Sequence, residues 1–294
     1  MFFAVLSFIL LVAARPAAAV PAVVASIAPV HSAAAAVMDG IGAPELLLNP
    51  AVSVHDYHLK PSDMRRLSRA DVLFWGGAQL ESFLEKPIEA AGLTDKNVAL
   101  MSDSRLTILP ARGGRGATAD GHFWLMPENM AQTARIIAEK LASLDPENAA
   151  AYKKNAEDFA RQTAELEKAG RQKLAPFAGT PYVTFHDAYQ YFEKSFGLTP
   201  VGSVYVDSHH ASGIGRMAKL REKMRRAGRL CLFSEPQFSD KGEKTVAQDL
   251  PVATATLDPV GAELTAGKGF YGDLMNALFD SFAGCFSKLR EQEE

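Results

Sequence analysis

DPENAAAYKKNAEDFARQTAELEKAGRQKL, residues 145–174, is the stretch whose reading decides the architecture. Asp145-Pro146 is a good N-cap and first-turn pair: the carboxylate can accept from free first-turn amides, and proline lacks an amide the turn could not use anyway. No breaker follows before Gly170, so the spacing predicts one unbroken helix to Leu174. At ~1.5 Å per residue this is a rod of roughly 43 Å. Its apolar seam is too weak for a coiled coil, which needs apolar residues at two fixed positions of every heptad. A long, polar rod of this kind suits a connection between two lobes.

Working outward, both flanks alternate strand and helix. Upstream, the apolar β-branched run AVVASIAPV (22–30) reads as a strand and 31–37 as an Ala-rich helix. Strands follow at 45–48, 71–75 and 98–100, with helices at 62–69, 80–91 and 128–143. Residues 111–121, ARGGRGATADG, read as a flexible, dispensable loop. Downstream, strands at 181–185, 202–206, 230–234 and 253–258 alternate with helices at 187–196, 212–227, 242–250 and 271–289. Such alternation is the signature of parallel sheets. The expected fold is α/β: two similar lobes, each a parallel four-stranded sheet flanked by helices, joined by one long rigid helix. The expected divisions are a signal peptide at 1–19, an N-terminal lobe at 20–144, a linking helix at 145–175 and a C-terminal lobe at 176–294.

The leader reading rests on MFFAVLSFILLVAARPAAA, an apolar core followed by small residues ending at Ala17-Ala18-Ala19. No Lys or Arg precedes that core. Its roughly 13 apolar residues fall short of the ~20 that span a bilayer. The expected mature protein is exported, soluble and without a membrane anchor. A formal charge of −3 over 294 residues argues against a nucleic-acid surface. The two cysteines, Cys231 and Cys285, are expected to pair, because an even number in an exported chain favours a disulfide.

Seven histidines are present, and three of them end apolar runs and open distinctive motifs: His55 in SVHDYHLKPSD, His122 in DGHFWLMPENM and His186 in PYVTFHDAYQYFE. Neutral imidazole suits zinc, which takes about four ligands at ~2.0–2.3 Å. Asp258 in ATLDPVGAEL is the fourth candidate. All four are read as lying at strand C-terminal ends, where open parallel sheets place ligands, with the site in the cleft between lobes. Asp56, Asp187 and Glu235 are candidate carboxylates for orienting loops or imidazoles. His58 and the pair His209-His210 read as loop residues, and His31 as a helix cap.

These motifs resemble the periplasmic zinc-binding proteins of ABC importers, of the ZnuA type. The resemblance is carried by SIAPVHSAAAAVMDGIG, SVHDYHLKPSDMRRLSRADVLFWGG, HFWLMPENM, DPENAAAYKKN, FHDAYQYFEKSFGLTPVG, LFSEPQF and LDPVG, and runs from about Val23 to Lys288. It implies two α/β lobes on a rigid helix and zinc, the transported ligand, held by His55, His122 and His186 with Asp258 as a possible fourth. It also implies a Cys231–Cys285 disulfide. A receptor of this kind is a periplasmic monomer that passes zinc to an importer permease in the inner membrane, and is not an enzyme. Two departures stand out. Many relatives carry a loop rich in His, Asp and Glu before the second ligand, whereas 112–121 has no histidine, and Val54 stands where some have a Glu. Alternative readings are a manganese or iron receptor of the same fold, a zinc hydrolase, or a zinc buffer without a transporter. His186 disfavours manganese, whose receptors use a carboxylate there because harder cations favour oxygen. The absence of an HExxH motif disfavours the hydrolase.

Overall fold

Eight short strands form two separate sheets in the computed structural model, which describes residues 19–54, 57–112, 119–205, 213–238 and 241–291. In the first, β1 (Val23–Ala25), β2 (Glu45–Leu46), β3 (Val72–Trp75) and β4 (Asn97–Ala99) run in the order β2-β1-β3-β4. In the second, β5 (Tyr182–His186), β6 (Gly202–Tyr205), β7 (Leu230–Ser234) and β8 (Val252–Thr256) run in the order β6-β5-β7-β8. Every paired strand is parallel. The central strands β1, β3 and β5 are buried along their whole length, as continuous apolar runs must be when helices cover both faces of a sheet. In each sheet the strand order reverses between the first and third strands, and the crevice beyond their C-terminal ends is where this topology binds ligands.

Helices α1 (Ala28–Val37), α2 (Pro61–Leu67), α3 (Ala78–Glu81), α4 (Glu85–Ala90) and α5 (Pro127–Leu144) belong to the first half. The connection is a 3-10 turn, Pro146–Asn148, followed by α6 (Ala149–Leu174). Helices α7 (Gln190–Phe196), α8 (Ile214–Ala227), α9 (Lys241–Ala247) and α10 (Phe270–Glu291) complete the second half. Three details differ from the sequence reading. Helix α1 starts at Ala28 rather than 31, because Pro29 sits in the first turn, where its missing amide is no loss. The predicted helix 80–91 is broken by a 3-10 turn at Ser82–Leu84. Pro87 has no amide for the Phe83 carbonyl, and its ring crowds that carbonyl, so the helix must restart. Asp145 makes no backbone cap. Its buried carboxylate instead accepts from Asn148 Nδ2 at 2.7 Å and Tyr152 Oη at 2.9 Å.

One apolar core runs through both halves, and α1, α5, α6 and α10 pack together in it. Trp124, leading into α5, donates its indole N–H to the Pro259 carbonyl at 2.8 Å. Tyr271 of α10 donates to the Trp124 carbonyl at 3.0 Å, and its own amide reaches Ser32 Oγ of α1 at 3.1 Å. These bonds lie across the junction of the two halves. Cys231 of β7 and Cys285 of α10 form a disulfide with Cα atoms 6.1 Å apart. Among the described residues no helix is long and apolar enough to cross a membrane. The leader reading falls on residues 1–18, which lie outside those described.

Candidate metal centre

His186 is the last residue of β5 and is 3% exposed. Its Nδ1 lies 2.7 Å from Glu235 Oε1. Glu235 follows the last residue of β7, the strand beside β5, so both groups stand at the reversal point of the second sheet. His122 comes from the other half. It is not at a strand end as expected: β4 ended at Ala99, and His122 instead opens the 3-10 turn Phe123–Leu125 that precedes α5. The spacing Asp-x-His fixes it. Asp120 Oδ1 accepts from the His122 backbone N–H at 3.0 Å and faces its Nδ1 at 2.8 Å. Sequence reasoning passed over Asp120, although a carboxylate two residues before a candidate ligand is itself a signal for such a partner.

The two imidazoles meet, with Nε2 of His122 3.3 Å from Nε2 of His186. Each Nδ1 is opposite a carboxylate and is therefore the protonated nitrogen, which leaves the lone pair on Nε2. Two lone pairs aimed at each other at this distance repel unless a proton or a metal cation lies between them. Two nitrogens bound ~2.0–2.1 Å from a tetrahedral zinc would be about 3.3–3.4 Å apart, so the pair spans one edge of a zinc tetrahedron. Burial pushes the His186 pKa down, but the charge and hydrogen bond of Glu235, helped by Asp187 and Asp120, outweigh it and hold the pKa above its ordinary value. The imidazoles border a cavity of about 20 Å³, lined also by Ser53, Val54, Gln237, Phe238, Pro259 and Val260. That is room for one water or one ion.

His55 and its neighbour Asp56 lie outside the described residues, but Ser53 and Val54, just before them, wall this cavity. Among the described residues no group of three His, Cys, Asp or Glu side chains is placed to hold a metal. Asp258 stands two residues beyond β8. Its Oδ1 accepts from Gln237 Nε2 at 2.7 Å and from the Val260 and Gly261 amides at 3.1 and 2.9 Å. Among the described residues its Oδ2 accepts only from the Ala262 amide, at 2.6 Å. Asp258 borders a separate, larger cavity of about 830 Å³ that shares Glu235 and Phe238 with the histidine cavity. Asp187 pairs with Arg112 of the loop before His122 and, among the described residues, orients that loop rather than an imidazole. His31 sits inside α1 and donates Nε2–H to the Pro44 carbonyl at 3.1 Å, so it is no cap. His58 is exposed, and His209 and His210 lie outside the described residues.

A sequence model described as zinc-uptake complex component A, periplasmic, matches residues 23–285. The high-affinity zinc uptake system protein ZnuA of Brucella suis is 38% identical over 306 residues, covering 90% of this chain and 92% of that one. The periplasmic zinc-binding protein TroA of Treponema pallidum superposes with a TM-score of 0.79 at 20% identity, over 90% of this chain and 99% of its own. FpvC of Pseudomonas aeruginosa, solved with Mn2+, superposes equally well, with a TM-score of 0.79 at 21% identity over 92% and 99% of the two chains. Likeness at these identities is likeness of fold, and that fold serves more than one metal.

Proposed function

The chain belongs to the family of zinc-uptake complex component A, periplasmic, and from that premise we propose that it is a periplasmic zinc receptor delivering its cargo to the permease of an ABC importer. Zinc is held by the Nε2 atoms of His122 and His186 together with His55. The fourth position falls to Asp258 or to water. Among the described residues Asp258 Oδ1 takes three donors and Oδ2 one, so Oδ2 is the oxygen that keeps a lone pair for a metal. The observation that carries this reading is the opposed pair of Nε2 atoms from two lobes, 3.3 Å apart and each backed by a carboxylate.

The protein is a binder and not a hydrolase. The two carboxylates facing the imidazoles, Asp120 and Glu235, each engage Nδ1 through one oxygen, the arrangement of groups that orient metal ligands. We read residues 1–19 as a removable leader, 20–144 and 176–294 as the two lobes and 145–175 as their link, in a chain that works as a monomer. The test is metal analysis of the purified protein after competition between zinc and manganese. One zinc per chain supports the reading; retention of manganese in preference to zinc would replace it with a manganese receptor of the same fold.

A further inference from the structure

The loop before His122 leans on the opposite lobe. An isolated antiparallel bridge, Pro110 to Ala119, closes its base. From there its described hydrogen bonds to the other lobe run to α7 or the segment just before it. Tyr191 Oη accepts from the Leu109 amide at 2.9 Å and donates to the Asp120 carbonyl at 2.8 Å. Gln190 Nε2 donates to the Pro110 carbonyl at 2.9 Å. The Arg112 guanidinium grips both oxygens of Asp187 and, through Nη1, Glu193 Oε2 at 2.7 Å. Asp187 follows His186 in the chain, and Glu193, 5% exposed, is buried inside α7. The segment 111–121, expected to be a flexible and dispensable loop, is tied down by contacts at both of its described ends, while 113–118 lie outside the described residues.

We propose that Arg112 is a positioning residue for the metal site, tying the loop that carries Asp120 and His122 to the segment that carries His186 so that the two imidazoles stay in register across the cleft. The inference rests on the zinc-receptor reading for its functional meaning. Its geometry is independent of it: one side of the latch, Arg112, lies two residues beyond Pro110, whose bridge to Ala119 adjoins the orienting carboxylate Asp120, and the other, Asp187, adjoins His186 itself. Only a guanidinium has the planar fork to hold one carboxylate with two N–H groups and a second with a third. A lysine in its place would hold one partner at a time. Loss of the latch lets the His122 loop swing away from His186, which shortens the life of bound zinc without removing a ligand.

The experiment pairs a measurement without metal and one with it. In the zinc-free protein, Arg112→Ala should speed hydrogen exchange at the Leu109 and His122 amides while the exchange of β5 amides stays as it was. In the zinc-loaded protein, chelator-triggered release should accelerate by about tenfold, the response of an off-rate to truncating one partner of a partly buried charge pair. Stoichiometry should stay at one, and Arg112→Lys should fall between. Asp187→Asn, the milder variant should Arg112→Ala fold poorly, should accelerate release too, and combining it with Arg112→Ala should add little. Unchanged exchange at Leu109 and His122 overturns the latch whatever the metal does. Release from Arg112→Ala within twofold of the wild type overturns its role in zinc retention. Failure of the wild type itself to bind zinc overturns the receptor reading and leaves the latch to be judged on exchange alone.

Discussion

His122 and His186 present Nε2 to the same point because Asp120 and Glu235 each claim the proton on the other nitrogen. Replacing either histidine by Ala should weaken zinc binding by orders of magnitude in calorimetry, while Asp258→Ala should cost less than either, since water can take the fourth position. A larger loss from Asp258→Ala than from His122→Ala would make the carboxylate a primary anchor. Asp120→Asn and Glu235→Gln remove only the orienting charge, and each should lower affinity about 10–100-fold. Zinc must displace protons from the site, and His186 holds its proton above the ordinary 6.5. Affinity should therefore fall as pH drops through neutrality towards 5, and a flat titration from pH 7.5 to 5 would contradict a histidine site. Glu81 gives a separate pH signal, in stability. Its Oε2 accepts the Gly76 amide at 2.7 Å, but full burial pushes its carboxyl up to about 7. The folded chain then holds a proton that the unfolded chain releases near 4.5. Stability from this group is complete below about pH 4.5 and declines as pH rises to about 7, by on the order of 3 kcal/mol. Thermal melts of Glu81→Gln should lose that decline; a slope equal to the wild type's would show that Glu81 ionises freely in the fold.

Helix α6 illustrates how an element can be right in outline and tuned by one position. Gly170 lies on its buried face, where an added Cβ would run into the Phe279 ring of α10 and come within 2.8 Å of the Phe196 ring of α7. By helix propensity alone Gly170→Ala should stabilise by about 1 kcal/mol. Overpacking of a close-packed junction costs about 1–3 kcal/mol, so the net expectation is a lower melting temperature. A rise in melting temperature would mean that the aromatic rings yield without strain. The break between α3 and α4 is the opposite case, a local rule (Pro87) that a reading of apolar spacing overrode.

At the scale of the molecule, the two lobes share one core and are tied by Trp124, Tyr271 and Ser32 as well as by α6. Opening the cleft widely would break these buried bonds. Backbone shifts on zinc binding should accordingly stay near 1 Å, the range of preorganised partners. Solution scattering of zinc-free and zinc-loaded protein checks this, and a change of several ångströms in radius of gyration would refute a preformed cleft. The Cys231–Cys285 bridge ties β7, the strand leading into Glu235, to α10. Its closed loop of 54 residues is worth roughly 4 kcal/mol by chain entropy. Reduction should lower the melting temperature by several degrees, with a smaller effect on zinc affinity measured well below that temperature.

The alternation of apolar strands with helical spacing determined the two parallel sheets, because burial on both faces demands continuous apolar runs whatever the surroundings. The breaker-free stretch ending near Leu174 likewise determined the long helix, since no local competitor interrupts it. His122 and His186 were legible as candidate ligands because a histidine closing an apolar run, in a chain with only seven, is conspicuous. Their partners were less so. Glu235 could be suspected from its place after β7, but Asp120 looked like one carboxylate in a Gly-rich loop, and nothing singled out Arg112. Asp258 was read as a ligand from its strand-end position, yet most of its accepting capacity goes to the amides of its own turn and to Gln237. Those roles depend on which groups from distant segments meet across the cleft. Hydrogen bonds and ion pairs act over about 3 Å, and residues such as Arg112 and Glu193, 81 apart in sequence, come that close only through the docking of one lobe on the other.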